Sequence, residues 1–195
     1  MFGYNSLMAE PSCLTNHFLI ALPGMGDGNF SRTVTYICQH SESEGAMGIV
    51  LNRPSELQLC DVFNHMDIVG QDADSAHQIV YIGGPVQEER GFVLHTPPAS
   101  WDSSMQVSEQ ISVTTSRDIL QAMAQGKGPQ KTFIALGYAG WEPGQLEQEL
   151  QQDAWLSGPA DPDVIFKLPS EQRWEAAAAV LGIDLNLINT TAGHA

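Results

Sequence analysis

Short apolar runs separated by polar or glycine-containing turns dominate the chain, and they restrict the folds it can adopt. Seven runs have the length of strands and are rich in β-branched and aromatic residues: HFLIAL, TVTYICQH, AMGIVL, QIVYI, GFVLH, ISVTT and KTFIALGY. The connection between the second and third runs, SESEG, is short and polar and ends in glycine, as hairpin loops do. These two strands are therefore predicted to pair antiparallel.

Four segments carry helix signals, and they are placed at irregular intervals between the strands. After Pro54, one apolar helix stripe with the spacing i, i+3, i+4, i+7 is formed by Leu59, Val62, Phe63 and Met66. The others are SRDILQAMAQG with Ser116 as N-cap and Gly126 as stop, PGQLEQELQQ opened by Pro143, and a last helix capped by Ser170 and ended by Gly182. Closely spaced strands with irregularly placed helices predict an α+β fold.

Length and composition predict one folded domain. The chain has 195 residues, of which 43% are hydrophobic and 16% charged, as in an ordinary globular domain with a sizeable core. Residues 1–15 mix glycine, asparagine, serine and proline with apolar residues and show no period. We therefore expect a loosely ordered N-terminal segment at 1–15 and a single domain at 16–195.

The charge balance constrains the partners of the protein. Its 8 Lys and Arg residues stand against 23 Asp and Glu residues, which gives a formal net charge of −15. Such a charge repels phosphate backbones and anionic membrane surfaces, and it accelerates encounter with a basic partner. Direct DNA binding and membrane binding are therefore disfavoured.

Cysteine usage and the N-terminal composition predict a cytoplasmic protein. Cys13, Cys38 and Cys60 are odd in number and form no C-x-x-C motif, which favours a reducing compartment. No Lys or Arg precedes Arg32, and the apolar run at residues 18–22 is too short for a signal sequence or a membrane span.

Standard catalytic and metal-binding signatures are absent from the sequence. There is no G-x-S-x-G or H-E-x-x-H, and the glycines of PGMGDGNF do not match G-x-G-x-x-G, so a tight loop is predicted there. Cys38 and His40 alternate on a predicted strand and could face a metal together, although a buried thiol and a surface histidine is the simpler interpretation. We expect no metal, no cofactor and no catalytic residue, while the question of an enzyme stays open with a non-catalytic role favoured.

Arginine is rarer than carboxylate in this chain, and four of the five arginines lie beside predicted turns or caps: Arg32, Arg53, Arg90 and Arg117. Each could lock a loop by pairing with carboxylates, which is the favoured interpretation, or several could converge on an anion site. Arg117 is the best candidate for an anion site. It lies in the first turn of a predicted helix, where backbone NH groups attract negative charge, and Thr115 and Ser116 could add hydroxyl donors.

Polar groups at strand ends and at this helix start suggest a candidate ligand-binding site near one sheet edge. Its members are Asn52, Arg53, Arg90, His95, Ser116 and Arg117. His95 ends a predicted buried strand just before two prolines. Hydrogen bonding to a neighbouring loop is favoured for it over a role as general base.

Two further stretches combine turns with functional residue types. In YIGGPVQEERGFVLHT, the Gly-Gly-Pro at 83–85 predicts a turn, Arg90 is expected to pin it, and Glu88 and Glu89 are expected to face water. GYAGW, at residues 137–141, places small residues between two aromatic ones. Core packing is favoured for these rings over a flat binding slot.

Taken in order, several stretches resemble the AlgH/YqgE family of bacterial proteins. They are NHFLIALP, GAMGIVLNRP, YIGGPVQEERGFVLHT, TTSRDIL, ALGYAGWEPGQLEQEL, AWL, RWEAAAAVLGID and the terminal AGHA, and they cover residues 16–195. The resemblance implies an α+β domain with a mostly antiparallel, branched or partly barrel-like sheet and about four helices packed around it. It also implies a bacterial, cytoplasmic protein for which no catalytic residue is established.

One branch of that family carries the label of a transcriptional regulator of alginate synthesis, a genetic association that implies no DNA-binding motif. We therefore expect a non-catalytic regulatory protein that acts through a protein partner still to be identified. The alternative is a small-molecule or anion-binding protein, or an unrecognised enzyme, with a site around Arg53, Arg90 and Arg117. Direct DNA binding ranks last, and the sequence gives no oligomeric state.

Overall fold

The computed structural model describes residues 13–70 and 72–191. Most of the predicted N-terminal segment, residues 1–12, lies outside the described residues. The strands are β1 (His17–Ala21), β2 (Val34–Ser41), β3 (Gly45–Val50), β4 (Pro54–Gln58), β5 (Ile79–Ile82), β6 (Val86–Thr96), β7 (Ser104–Gln106), β8 (Ser112–Thr114), β9 (Lys131–Trp141) and β10 (Trp155–Pro159). The helices are α1 (Leu59–His65), α2 (Ala73–Ala76), α3 (Arg117–Ala124), α4 (Gln145–Gln151), α5 (Pro162–Phe166), α6 (Ser170–Val180) and α7 (Leu185–Thr191).

The strands form one branched sheet. Its main path runs in the order β10-β1-β2-β3-β9-β6-β8-β7, and β4 joins β5 beside it. β5 pairs parallel with β9 at Val80↔Ile134, whereas the other pairings between described strands are antiparallel. The end of β9 pairs with β3 instead, at Ala46↔Trp141, so β9 is the branch point. This curled, mostly antiparallel sheet with helices around it confirms the predicted α+β single domain.

The predicted hairpin between the second and third strands is present. β2 and β3 pair antiparallel down to Ser41↔Gly45. Gly45 has a φ of 85°, and a side chain there would collide with the carbonyl of Trp141. The turn therefore requires glycine for its backbone and for the close approach of β9.

Helix ends follow the sequence signals in part. Gly126 and Gly182 lie just after α3 and α6 with φ of 70° and 71°, as expected of helix stops. Pro143 and Ser170 differ from the prediction. α4 begins only at Gln145, because Gly144 adopts φ 78° at its N-cap, and Ser170 is already inside α6, where Pro169 is the N-cap.

Three hydrophobic clusters lie on the faces of the sheet. The largest packs the α5–α6 region against β1, β2, β3, β6 and β9. A second packs α1 and α3 against the opposite face of β6 and β9, through residues that include Leu59, Phe63, Ile119, Val93 and Ile134. A third surrounds Trp141 and Trp155 near α4. Among the described residues, no helix has the length and apolar character needed to cross a bilayer.

Candidate functional site

An open cleft of about 640 Å³ lies between α1 and α3, over the surface formed by β6 and β9. Small-molecule and cofactor sites commonly have volumes of roughly 300–1,000 Å³. The lining residues are Leu57, Asp61, Val62, His65, Met66, Glu88, Glu89, Gly91, Val93, Thr114, Thr115, Ser116, Arg117, Leu120, Ile134 and Leu136. The cleft therefore opens one of the hydrophobic clusters to solvent.

The floor of the cleft is apolar because it continues the packing beneath α1 and α3. Val93 and Ile134 are buried and lie opposite each other in the β6–β9 ladder. Val62, Met66 and Leu136 pack against the same cluster but stay partly exposed. The apolar stripe of α1 is thus wider than the surface it covers, and the excess faces the cleft.

The rim of the cleft carries charges that are not paired with one another. Asp61, Glu88, Glu89 and Arg117 line the opening, and all four are exposed. In the described parts of the chain, the ion pairs are His40–Glu147 and Lys167–Asp163, and neither touches the cleft. Asp61 does accept a hydrogen bond from the backbone NH of Gln58. The rim therefore has an excess of negative charge that remains open to a cationic group.

Glu88 and Glu89 reach the rim through an irregularity of β6. This strand pairs with β9 at Gly91↔Leu136 and again at Val86↔Tyr138, so residues 87–90 bulge out of the ladder between those pairs. Gln87, the first residue of the bulge, has the positive φ of 47°. All four bulged residues are exposed. The acidic pair faces water as predicted, and it also borders the cleft.

Glycines make this bulge possible. Gly137, with φ 73°, lies opposite the bulge, where a side chain would collide with the carbonyl of Gly84. A side chain on Gly84, with φ 154°, would in turn collide with the backbone of Tyr138. The Gly-Gly-Pro segment is therefore a tight crossing of two backbones, and it holds the acidic bulge in place.

Arg90 fixes the other end of the bulge. Its guanidinium donates to Oε1 of Gln87 at 3.2 Å and to Oγ1 of Thr115 at 3.5 Å, and it lies 5.5 Å from the ring of Phe92. The expected pinning role fits this geometry. Arg90 thereby connects the bulge to Thr115, which lines the cleft.

Arg117 lies in the cleft, but the helix end beside it is already occupied. Oδ1 of Asp118 accepts hydrogen bonds from Oγ of Ser116 at 2.6 Å and from the NH of Ile119 at 3.0 Å, while its Oδ2 accepts from the NH of Asp102. Burial acts to raise the pKa of Asp118, but these hydrogen bonds outweigh it and hold the pKa below its usual value. Ser116 is at the N-cap position without a capping bond, and the start of α3 is neutralised by its own carboxylate.

The guanidinium of Arg117 itself makes no hydrogen bond or ion pair with the described residues. The other arginines are engaged. Arg53 donates to the carbonyls of Gly28 and Ser31, and Arg32 lies over the ring of Trp174. In the described structure, arginines lock loops through carbonyls and rings, so the prediction of carboxylate pairs is wrong for them. Loop carbonyls accept from Arg53, and side-chain oxygens of Gln87 and Thr115 accept from Arg90, in place of carboxylates.

Asn52 and Arg53, two of the predicted site residues, do not line the cleft. Oδ1 of Asn52 accepts from the NH of Val34 at 3.0 Å, and its Nδ2 donates to the carbonyl of Arg32 at 2.8 Å. Arg53 borders a neighbouring hollow of about 170 Å³ beside the glycine-rich loop, and this hollow shares Glu88 with the cleft. Of the predicted site residues, Ser116 and Arg117 line the cleft and Arg90 contacts Thr115 beside it, whereas Asn52 and Arg53 support the loop before Thr33.

His95 is fully buried within the sheet. Its Nε2 lies 2.9 Å from Oγ1 of Thr114, and its Nδ1 lies 3.3 Å from the carbonyl of Pro97. Burial lowers the pKa of His95, and the bond to Pro97 opposes this only partly. His95 therefore has a structural role in the sheet. It contacts Thr114, which lines the cleft.

His40 differs from its expected place on the surface. It is buried, because its Nδ1 accepts from the NH of Leu14 at 2.9 Å and its Nε2 donates to Oε1 of Glu147 at 2.7 Å. The neighbouring Cys38 is also buried, and burial raises the pKa of its thiol. Within residues 13–70 and 72–191, no three His, Cys, Asp or Glu side chains group as ligands for a metal.

The GYAGW stretch forms part of the packing and makes no slot. Trp141 is buried 6.1 Å from Trp155, and both indole NH groups donate to Oε2 of Glu149 at 2.9 and 2.8 Å. Tyr138 packs edge-on against Phe92 at 5.6 Å. Glu149 is a partly buried acceptor for both indole NH groups, and no sequence pattern indicated this role.

Sequence reasoning missed much of the cleft. The apolar stripe of α1 indicated Val62 and Met66 as core residues. Asp61 and His65, which also line the cleft, match no motif in the sequence. The available signal was the apolar stripe of α1 flanked by Asp61 and His65, which is typical of a helix at the border of a core and an opening.

A branched ten-stranded sheet with a cleft between α1 and α3 defines an α+β class of protein with no catalytic signature in its sequence. An AlgH-like family model matches residues 18–186. The chain belongs to this AlgH-like family, as its motifs indicated.

The family assignment extends over nearly the whole chain. A UPF0301 protein from Thioalkalivibrio sulfidiphilus is 59% identical over 188 residues, covering 96% of this chain and 100% of the relative. A UPF0301 protein from Nitrosococcus oceani is 52% identical over 180 residues, covering 92% of this chain and 96% of the relative. These relatives are bacterial and uncharacterised, and they assign no activity.

Solved structures share the fold. The solution structure of the AlgH protein from Pseudomonas aeruginosa matches with a TM-score of 0.78 at 50% identity, covering 97% of this chain and 100% of that chain. A crystal structure of a Corynebacterium diphtheriae protein matches with a TM-score of 0.71 at 22% identity, over 93% of each chain. The second comparison shows the fold alone.

Proposed function

We propose that this AlgH-like protein is a non-catalytic regulatory protein of the bacterial cytoplasm that acts by binding a protein partner. The observation that carries the proposal is the cleft, in which an apolar floor is bordered by carboxylates without ion-pair partners among the described residues. Protein interfaces characteristically combine an apolar centre with a polar rim.

The charge of the chain supports a macromolecular partner. With a formal net charge of −15, long-range attraction speeds encounter with basic protein surfaces and opposes approach to nucleic acid. A role in gene expression therefore proceeds through another protein and requires no direct contact with DNA.

The test is affinity capture of the full chain, expressed with a tag at native level in its bacterium and cross-linked before lysis. An unrelated acidic protein of equal size and charge serves as the control for nonspecific attraction of basic proteins. A partner recovered in stoichiometric amount with this chain and not with the control supports the proposal. Repeated recovery of no such partner contradicts it.

A second candidate function is the binding of a small molecule or anion. The specific observation in its favour is the exposed guanidinium of Arg117 in the cleft, without a hydrogen bond or ion pair to the described residues. A thermal-shift screen of anionic metabolites against wild type, Arg117→Ala and Lys127→Ala tests it. A ligand that raises the melting midpoint of wild type and Lys127→Ala but not of Arg117→Ala would favour this candidate.

A further inference from the structure

We propose that the cleft between α1 and α3 binds a short segment of the partner protein in which a large apolar side chain lies next to a lysine or arginine. This inference rests on the proposed function and adds the place and the chemistry of recognition. It follows from the floor, the rim and the bulge of β6, each of which points to the same kind of segment.

The floor selects an apolar side chain. Val62, Met66 and Leu136 remain partly exposed where they line the cleft, and Leu57 at its edge is 41% exposed. An apolar side chain inserted there would remove both surfaces from water, which is the main favourable contribution to association. The volume of about 640 Å³ leaves room for a large apolar side chain.

The rim selects a cation beside that apolar residue. Asp61 lies on the α1 side of the cleft, and Glu88 and Glu89 lie on the β6 side. None of the three forms an ion pair in the described structure. A lysine or arginine that enters next to the apolar side chain would meet carboxylates from both walls.

The bulge of β6 holds Glu88 and Glu89 at the rim of the cleft. Residues 87–90 leave the ladder, Gln87 adopts φ 47°, and Arg90 ties the bulge to Thr115. A regular β6 would keep these residues in register with β9. Bulges are over-represented at sheet edges and next to functional sites, where they can re-aim a side chain.

Arg117 restricts the segment further. Among the side chains that line the cleft, the basic groups are its guanidinium and the imidazole of His65. The guanidinium can donate to a backbone carbonyl or a carboxylate of the bound segment. A polyanion would meet this one arginine and at least three carboxylates, so nucleic acid and anionic lipid do not complement the cleft.

The probe is a phage-displayed library of random heptapeptides selected against the full folded chain. Selected sequences are expected to combine leucine, isoleucine, methionine or phenylalanine with an adjacent lysine or arginine. Synthetic fluorescein-labelled copies then give dissociation constants by anisotropy at two salt concentrations, and binding is expected to weaken as salt rises.

Matched variants locate the binding. Glu88→Lys/Glu89→Lys reverses the charge of the bulge. Glu42→Lys/Glu44→Lys makes the same change of charge at two exposed glutamates of the β2–β3 turn, which do not line the cleft. Leu57→Ser is matched by Val180→Ser, since these side chains are 41% and 48% exposed. The bulge double variant is expected to bind about tenfold more weakly, which corresponds to about 1.4 kcal/mol, and Leu57→Ser about threefold more weakly. Both control variants should bind as wild type does.

Selection of no peptide, or of acidic peptides, would overturn the inference, as would equal binding by wild type and the bulge variant. Failure of this inference can be distinguished from failure of the proposed function. If affinity capture recovers a partner that the bulge variant and Leu57→Ser retain in full, the protein still acts through a partner and the cleft is not where it binds.

Discussion

Nε2 of His95 lies 2.9 Å from Oγ1 of Thr114, and this contact sets the direction of a whole chain of hydrogen bonds. Nδ1 of His95 faces the carbonyl of Pro97 and must donate to it, so in neutral imidazole Nε2 accepts from the Thr114 hydroxyl. Thr114 then accepts from Ser104, whose oxygen accepts from the NH of Trp101. The chain holds β7 and β8 to β6 behind the cleft wall.

Acid should weaken the fold through His95. Burial lowers its pKa in the folded state from the ordinary 6.5, so the unfolded chain binds the proton first as pH falls. The stabilisation is fully present above about pH 6.5 and is lost as pH falls through that value towards the folded pKa. Urea unfolding between pH 8 and pH 5.5 should show a steeper loss of unfolding free energy for wild type than for His95→Gln. Parallel curves for the two proteins would contradict this assignment.

Glu149 should stabilise the end of the sheet near α4. Its Oε2 accepts from the indole NH groups of both Trp141 and Trp155, so Glu149→Leu leaves two donors without an acceptor. We expect a loss of about 3 kcal/mol of unfolding free energy, measured by urea denaturation. Glu175→Leu, at an exposed site on α6, is the control and should change stability by less than about 0.5 kcal/mol. Equal stabilities of the two variants would show that the indole bonds contribute nothing.

Arg173 and Arg117 should respond differently to the same substitution. Arg173 is buried, donates to the carbonyls of Leu51 and Leu168, and lies 4.9 Å from the ring of Tyr81. Arg173→Lys removes the planar fork and should cost about 3 kcal/mol of unfolding free energy. Arg117→Lys, on the exposed rim, should cost less than about 0.5 kcal/mol. A large loss for Arg117→Lys would mean that this arginine supports the fold and is not held for a ligand.

Gly137 should be required for the crossing that supports the acidic bulge. Its φ of 73° and the contact with the Gly84 carbonyl exclude a side chain, so Gly137→Ala should cost at least about 2 kcal/mol of unfolding free energy. Gly91→Ala is the matched control within the same ladder, because a side chain there meets no atom within 4 Å. Thermal and urea unfolding of the two variants make the comparison. Equal losses would show that the crossing tolerates a side chain.

Local signals account for the parts of the fold that the sequence predicted. The SESEG hairpin and the stripe of α1 depend on residues a few positions apart, and both are present. β4 and β10 escaped prediction because they are short and contain proline, and β10 exists through its pairing with β1. The tertiary environment decides such strands.

The candidate site was predictable only in part for a similar reason. Arg90, Ser116 and Arg117 follow turn and cap signals; Ser116 and Arg117 line the cleft, and Arg90 contacts Thr115 beside it. Asn52 had an equally polar context, yet its bonds to the backbone of Val34 and Arg32 depend on strand pairing that no local pattern encodes. The opening between α1 and α3 depends on how far apart two helices pack, which the sequence does not show by inspection.

Site-specific photo-cross-linking in living bacteria tests the central claim most directly. A benzophenone amino acid is placed at Leu57 or Glu89 in the cleft, and at Val180 or Glu42 as exposed controls elsewhere. The account predicts that irradiation gives a discrete adduct of higher mass from the cleft positions, with another protein attached, and none from the control positions. Absence of an adduct from the cleft, or the same adduct from all four positions, would contradict the claim that this protein acts by binding a partner in its cleft.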